Sequence, residues 1–124
     1  MTKQSRYAYA ETIERLSHAI AEAGSTIFAT IDQSAAATSV GLSLRPTSLI
    51  VFGNPKGGTA LMDAFPLVGL DLPLKFLVWE HNGRTSVAFV PMSEIAARYG
   101  VTEMDTRIGA MDAALEALSA AVAV

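Results

Sequence analysis

A chain of 124 residues, 51% hydrophobic and 17% charged, is sized and composed for one domain with its own apolar core, and no linker, repeat or charge block divides residues 1–124. Twelve acidic against nine basic residues leave a formal net charge of -3, and the absence of any basic run or aromatic–basic stripe disfavours nucleic-acid binding. The chain has no cysteine, which excludes disulfides, thiolate metal sites and a cysteine nucleophile. The start MTKQSRYAYAETIERL is polar and charged, and no run approaches the ~20 apolar residues of a bilayer span, so the expectation is a cytoplasmic protein without membrane association.

Residues 3–9 fit a short edge strand. Ile13, Leu16, Ile20 and Ala23 recur at steps of three and four, the spacing of one helical face, and Gly24 is a natural stop. The β-branched run Thr26–Ile31 predicts a strand. Asp32 and Ser34 then read as caps for a short Ala-rich helix closed by Gly41. Leu49 to Phe52 is a continuous apolar run, which predicts a central strand buried on both faces.

Gly53-Asn54-Pro55-Lys56-Gly57-Gly58-Thr59 reads as a loop, with Thr59 as cap of a short helix through Phe65 that Pro66 stops. Asp71-Leu72-Pro73 marks a turn, and Lys75–Glu80 a strand. Asn82-Gly83 between two apolar runs predicts an antiparallel hairpin returning through Thr85–Val90. Ser93 reads as the cap of a short helix ending near Gly100. Asp105 reads as the cap of a last helix whose packing face is Ile108, Met111, Leu115, Leu118 and Val122. The sum is an α+β domain: a four- or five-stranded mixed sheet, one hairpin, and two long helices.

The chemistry the residues offer is limited. The Gly53–Thr59 loop reads as a structural turn or as a small-anion site, because a glycine-rich turn entering a helix exposes N–H groups and Lys56 adds charge. It is not a Walker loop, since Lys56 precedes the glycines, and it does not match the dinucleotide pattern Gly-x-Gly-x-x-Gly either. His18 sits one helical turn from Glu22, which suits a surface pair. His81 lies at the hairpin, and neither histidine has a second ligand at metal spacing, so no metal is expected. Asp71 offers a general base or the cap of its own turn, and the turn reading is preferred. Lys75 and Glu80 are an odd number of residues apart, which puts them on opposite faces of an ideal strand. Trp79 reads as core or as a pocket wall. No serine stands in a Gly-x-Ser-x-Gly elbow.

Several segments resemble one family. They are Glu11-Thr12 with Arg15-Leu16, Ile27-Phe28 with Ile31-Asp32, and Gly41-Leu42 with Leu44 and Pro46-Thr47. The most specific are Phe52-Gly53-Asn54-Pro55-Lys56 with Gly58-Thr59 and Leu61-Met62, then Asp71-Leu72-Pro73-Leu74-Lys75 with Val78-Trp79-Glu80; Arg98 with Gly100 fits the ending. From about Glu11 to Leu118 the chain resembles the domain of unknown function 302 family. The resemblance implies a compact α/β fold and, often, a homodimer, and it supplies no reaction, cofactor or catalytic residue. Two positions depart from the pattern: Gln33 stands where members commonly carry histidine, and His81 where many carry aspartate. Gln can hydrogen-bond but cannot shuttle a proton near neutral pH, so if that histidine is a metal ligand or general base, this chain lacks the function or performs it differently.

Three readings follow. The first is a homodimeric ligand-binding or interaction module with a small anionic ligand at Gly53, Asn54, Lys56, Gly58 and Thr59, onto which Asp32, Gln33, Lys75 and Glu80 converge; no cofactor is expected. The second is a small enzyme for an anionic or carbonyl metabolite, with Lys56 or Lys75 binding substrate and Asp32 or Glu80 handling protons. The third is a structural subunit of a larger complex, which predicts a broad exposed apolar patch.

Overall fold

The computed structural model describes residues 1–124. In chain order the elements are β1 (Thr2–Gln4), α1 (Tyr9–Glu22), β2 (Thr26–Asp32), α2 (Gln33–Ser39), β3 (Thr47–Gly53), α3 (Pro55–Ala64), a 3₁₀ turn (Pro66–Leu70), β4 (Leu74–His81), β5 (Arg84–Ala88), α4 (Met92–Arg98) and α5 (Asp105–Ala120). The strands form one sheet in the order β1-β5-β4-β3-β2. Every neighbouring pair is antiparallel. The α+β class and the hairpin agree with the sequence reading, whereas the mixed sheet does not: no strand pair is parallel. The physical reason is connectivity: β2, β3, β4 and β5 are laid down in sequence, each beside its predecessor and running the other way, while α1 carries the chain across the sheet from β1 at one edge to β2 at the other.

The hairpin forms where Asn82 and Gly83 both take positive φ, 52° and 76°, as a two-residue turn between twisted strands requires. The long helices α1 and α5 cover one face of the sheet. Leu16 and Ile20 of α1, and Leu115 and Leu118 of α5, are buried in one cluster with Ile50, Phe52, Phe76, Val78 and Val87 of the sheet. Phe52 stacks on Phe76 with centroids 4.9 Å apart, and Phe76 meets Phe89 edge-on at 5.8 Å. The face of α1 turns slightly from its expected position, since Thr12 is buried and Ile13 only half-buried. Thr12 is tolerated there because its hydroxyl is paired with the Ser5 hydroxyl at 2.7 Å.

The other face of the sheet has no such cover. Along β3 burial alternates: Ser48, Ile50 and Phe52 are buried, while Leu49 and Val51 are half-exposed. This corrects the expectation of a strand buried on both faces. Its place inside the sheet holds, since β3 pairs with β2 on one side and β4 on the other. A second boundary moved. The helix expected to start at Thr59 starts at Pro55, with Asn54 as its N-cap and both Gly57 and Gly58 inside it. Asn followed by Pro is a cap followed by a first-turn residue, and that signal outweighs the helix-breaking tendency of two glycines. The last two helices have different caps from those expected. The Asp112 carboxylate accepts the N–H groups of Met92 and Ser93 at the start of α4, and no side chain caps α5.

Candidate functional site

The Gly53–Thr59 segment leaves the end of β3 and turns into α3. Pro55 holds Asn54 extended, at φ -105° and ψ 111°. From there the Asn54 side-chain oxygen accepts the Lys56 N–H at 3.0 Å. The Asn54 carbonyl accepts the N–H groups of Gly57 at 2.9 Å and Gly58 at 3.1 Å. Pro55 has no N–H. The amides that the sequence reading offered to an anion are thus satisfied by Asn54 itself, and Lys56 is exposed.

The nine residues expected to converge do not. Gly53 pairs with Thr26 at one end of β2, and Asp32 pairs with Ser48 at the other. Five residues of β3 separate Gly53 from Ser48, which is about 17 Å of extended strand. Glu80 lies at the Asp32 end as well, its N–H bonded to the Pro46 carbonyl at 3.0 Å. Asp32, Gln33 and Glu80 therefore stand apart from Gly53, Asn54, Lys56, Gly58 and Thr59. The error came from treating strand ends as one locus, when antiparallel neighbours carry consecutive segments to opposite ends of the sheet. Lys75 is at the Gly53 end but pairs with Val51 and shares its half-exposed face.

Asp32 and Lys75 already have structural work. Asp32 caps α2: its carboxylate accepts the Ser34 hydroxyl at 2.6 Å and the Ala35 N–H at 2.9 Å, and these bonds hold its carboxyl below the usual range. Ser34 in turn accepts the Thr47 N–H, tying α2 to β3. Lys75 donates to the carbonyls of Asp71 and Pro73. Asp71 accepts from the Tyr99 hydroxyl and from Arg98, both at 2.7 Å. The Tyr99 bond first and the Arg98 bond second push the Asp71 carboxyl down, and Arg98 and Tyr99 are raised in return. His18 meets Glu22 at 3.2 Å on the exposed side of α1, as its spacing implied. No cluster of three His, Asp or Glu side chains is arranged to hold a metal ion.

A cavity of about 520 Å³ opens at the Gly53 end, between α3 and α5. Gly57, Gly58 and Met62 of α3 form one wall. Arg107, Ala110, Met111, Ala114 and Leu118 of α5 form the other, and Phe52, Leu72 and Leu74 lie at its base. Gly53, Asn54, Pro55 and Thr59 edge it, with Phe28 from the bulge where β2 slips register between Ile27 and Ala29. Of the expected site residues, Gly53, Asn54, Gly58 and Thr59 line this cavity. Asp32, Gln33, Lys56, Lys75 and Glu80 do not. No carboxylate or imidazole reaches it, so the pair of groups that acid/base chemistry needs is missing from its walls.

Sequence reasoning missed Arg107, Ala110 and Ala114. Their signal was legible, because with Met111 and Leu118 they fall at steps of three, four and seven along one side of α5. Small residues in such a stripe leave room rather than fill it, and only the apolar members were counted as a face.

Comparison with known proteins places the chain. The model of a family described as "Domain of unknown function DUF302" matches residues 1–123. A crystal structure of an uncharacterized conserved protein DUF302 from Bacillus stearothermophilus superposes with a TM-score of 0.90, covering 98% of this chain and 96% of that one. At 20% identity that likeness speaks to the fold alone. Two curated relatives are named as fluoride-specific ion channels: FluC 1 of Brucella suis and FluC 2 of Brucella melitensis, each 46% identical over 80 residues. The matched segment is 64% of this chain but only 32% and 30% of those chains. No helix of the present chain is long and apolar enough to cross a membrane. A family match over almost every residue and a shared fold of the same extent lead to one conclusion: the chain belongs to the DUF302 family.

Proposed function

We propose that the protein is a small-molecule-binding module whose site is the groove between α3 and α5. The observation that carries this reading is the groove itself: about 520 Å³, walled mainly by apolar side chains. Its size falls within the roughly 300–1,000 Å³ typical of ligand sites. The Gly53–Thr59 segment serves as its rim rather than as an anion cradle. The test is binding of the neutral apolar dye Nile red, followed by fluorescence, to the wild-type protein and to Ala114→Trp. Ala114 is exposed, so an indole there fills the groove without entering the core. The expected result is saturable binding that Ala114→Trp weakens about tenfold or more, since a filled groove forfeits the contacts that hold the dye. Equal binding by both proteins, or none by the wild type, would sink the reading.

A second element of the proposal is self-association through the β2–α2 side of the molecule. From Phe28 to Arg45 no residue is buried, and Phe28, Ile31, Val40, Leu42 and Leu44 are all exposed. Grouped apolar exposure of this kind supports an interface.

The Brucella relatives suggest a setting. There a segment like this chain forms part of a longer protein named as a channel. A ligand-sensing domain working beside a membrane protein suits that arrangement. Fluoride is not proposed as the ligand here, because a small, strongly hydrated anion gains nothing from an apolar groove.

A further inference from the structure

The groove is walled mainly by apolar side chains, with the uncharged polar residues Ser25, Asn54 and Thr59 on its lining, and it carries one charge. Arg107, in the first turn of α5, is the only charged side chain on its walls. It makes no ion pair: Glu103 and Asp105 border a hollow beside it, yet neither comes within 4.0 Å. From Arg107 the wall runs past Ala110 and Ala114 to Leu118, which is buried at 7% exposure. Eleven residues of helix separate those ends, a length of about 16 Å. The site thus has a polarity: a guanidinium at its mouth, then a strip of small side chains, then a buried apolar end.

A ligand matching that order has an acidic head and an extended apolar body. Building on the binding reading above, we infer that the groove takes an aliphatic carboxylate, with the head on Arg107 and the chain along Ala110 and Ala114 towards Leu118. The planar guanidinium fits a carboxylate with two parallel N–H···O bonds, which an ammonium cannot reproduce. The body contributes affinity by leaving water, and the head fixes which way round it lies. Lys56 is not a second anchor, because it stands outside the cavity.

The test is displacement of Nile red by dodecanoate and by dodecan-1-ol, both below their aggregation thresholds. It uses the wild type, Arg107→Gln and Arg107→Lys. Arg107 is exposed, so neither change removes core packing. In the wild type the acid should displace dye at about a tenfold lower concentration than the alcohol, the low end for a charge-assisted bond at an exposed site. Arg107→Gln should bring the two ligands level while dye binding persists. Arg107→Lys should keep part of the preference. Equal displacement by acid and alcohol in the wild type, or a preference that survives Arg107→Gln, would overturn the inference and leave the groove as a general apolar site. Failure of the wild type to bind the dye at all would overturn both readings.

Discussion

The Asp71 carboxylate is the hub of a clamp rather than a reacting group. It accepts from Tyr99 and Arg98 at the end of α4, and its own carbonyl accepts from Lys75 at the start of β4. One residue therefore holds a helix end to the turn that opens β4. That gives the Asp-Leu-Pro-Leu-Lys segment a structural reason to be distinctive. The linkage to pH has a definite sign. Bonds to the charged form depress the folded-state pKa of Asp71. Its contribution to stability is complete above the unfolded carboxylate value and is lost as pH falls through the depressed folded value. Asp71→Asn should lower the urea midpoint at neutral pH, and its disadvantage against the wild type should shrink on acidification to below that folded value. Half-buried Trp79 supplies the fluorescence signal. The clamp is partly exposed, with the Arg98 side chain at 49% and Asp71 at 29%, so the loss should be smaller than that of a core truncation such as Leu61→Ala. A difference between the two proteins that stays constant down to acid pH would remove Asp71 ionisation from the account.

Among the helices, α3 is the one whose sequence argues against it. Two adjacent glycines sit in its first half, and Leu61 is its only buried residue. What keeps the helix is Asn54, which takes up the Lys56, Gly57 and Gly58 amides. A Cβ added at Gly57 would meet nothing within 4 Å, because the space beside it is open. Gly57→Ala should therefore stabilise the protein by about 0.5–1 kcal/mol, through lower backbone entropy in the unfolded chain. Urea unfolding reads this directly, and a destabilised variant would show that the helix wall is packed more tightly than its geometry implies. This helix also marks the limit of what the sequence conveyed. Local signals were legible: the Asn82-Gly83 turn, the Asp32 cap, the apolar face of α5, and the family motifs. Each depends on neighbours along the chain. The misplaced start of α3 came from reading glycine composition above the Asn-Pro cap. The misplaced site came from strand pairing, a long-range property. Nothing in the residues around Asp32 states that they pair with Ser48 rather than ending beside Gly53. Half of the groove was visible as its Gly53–Thr59 rim, and the other half stayed hidden because Ala110 and Ala114 do nothing distinctive until a second helix faces them.

At the scale of the whole molecule, the two sheet edges are treated differently. The β1 edge is closed by the chain's own end: the Val124 N–H bonds to the Gln4 carbonyl and the Arg6 N–H to the Val122 carbonyl, both at 2.9 Å. The β2 edge has no such cover. Its seven residues contain no Lys, Arg or Pro, the usual protections of an open edge, and only the bulge between Ile27 and Ala29 interrupts it. Beside it lie the exposed side chains of Ile31, Val40, Leu42 and Leu44. Between Phe28 and Arg45 the only charges are Asp32 and Arg45, opposite in sign, so two copies meeting here bring no like-charge block together. A twofold pair would present the same apolar patch from both sides, as closed dimers do. Native mass spectrometry of the wild type should then give twice the 13.1 kDa chain mass. Ile31→Glu and Leu42→Glu should each give the single chain with unchanged circular dichroism, because both side chains are exposed and their loss removes no core packing. A wild type that stays at one chain mass at micromolar concentration would end the argument for this edge. Dimers that persist in both variants would move the interface elsewhere, with the half-exposed face around Leu49, Val51, Leu77 and Trp79 the next surface to test.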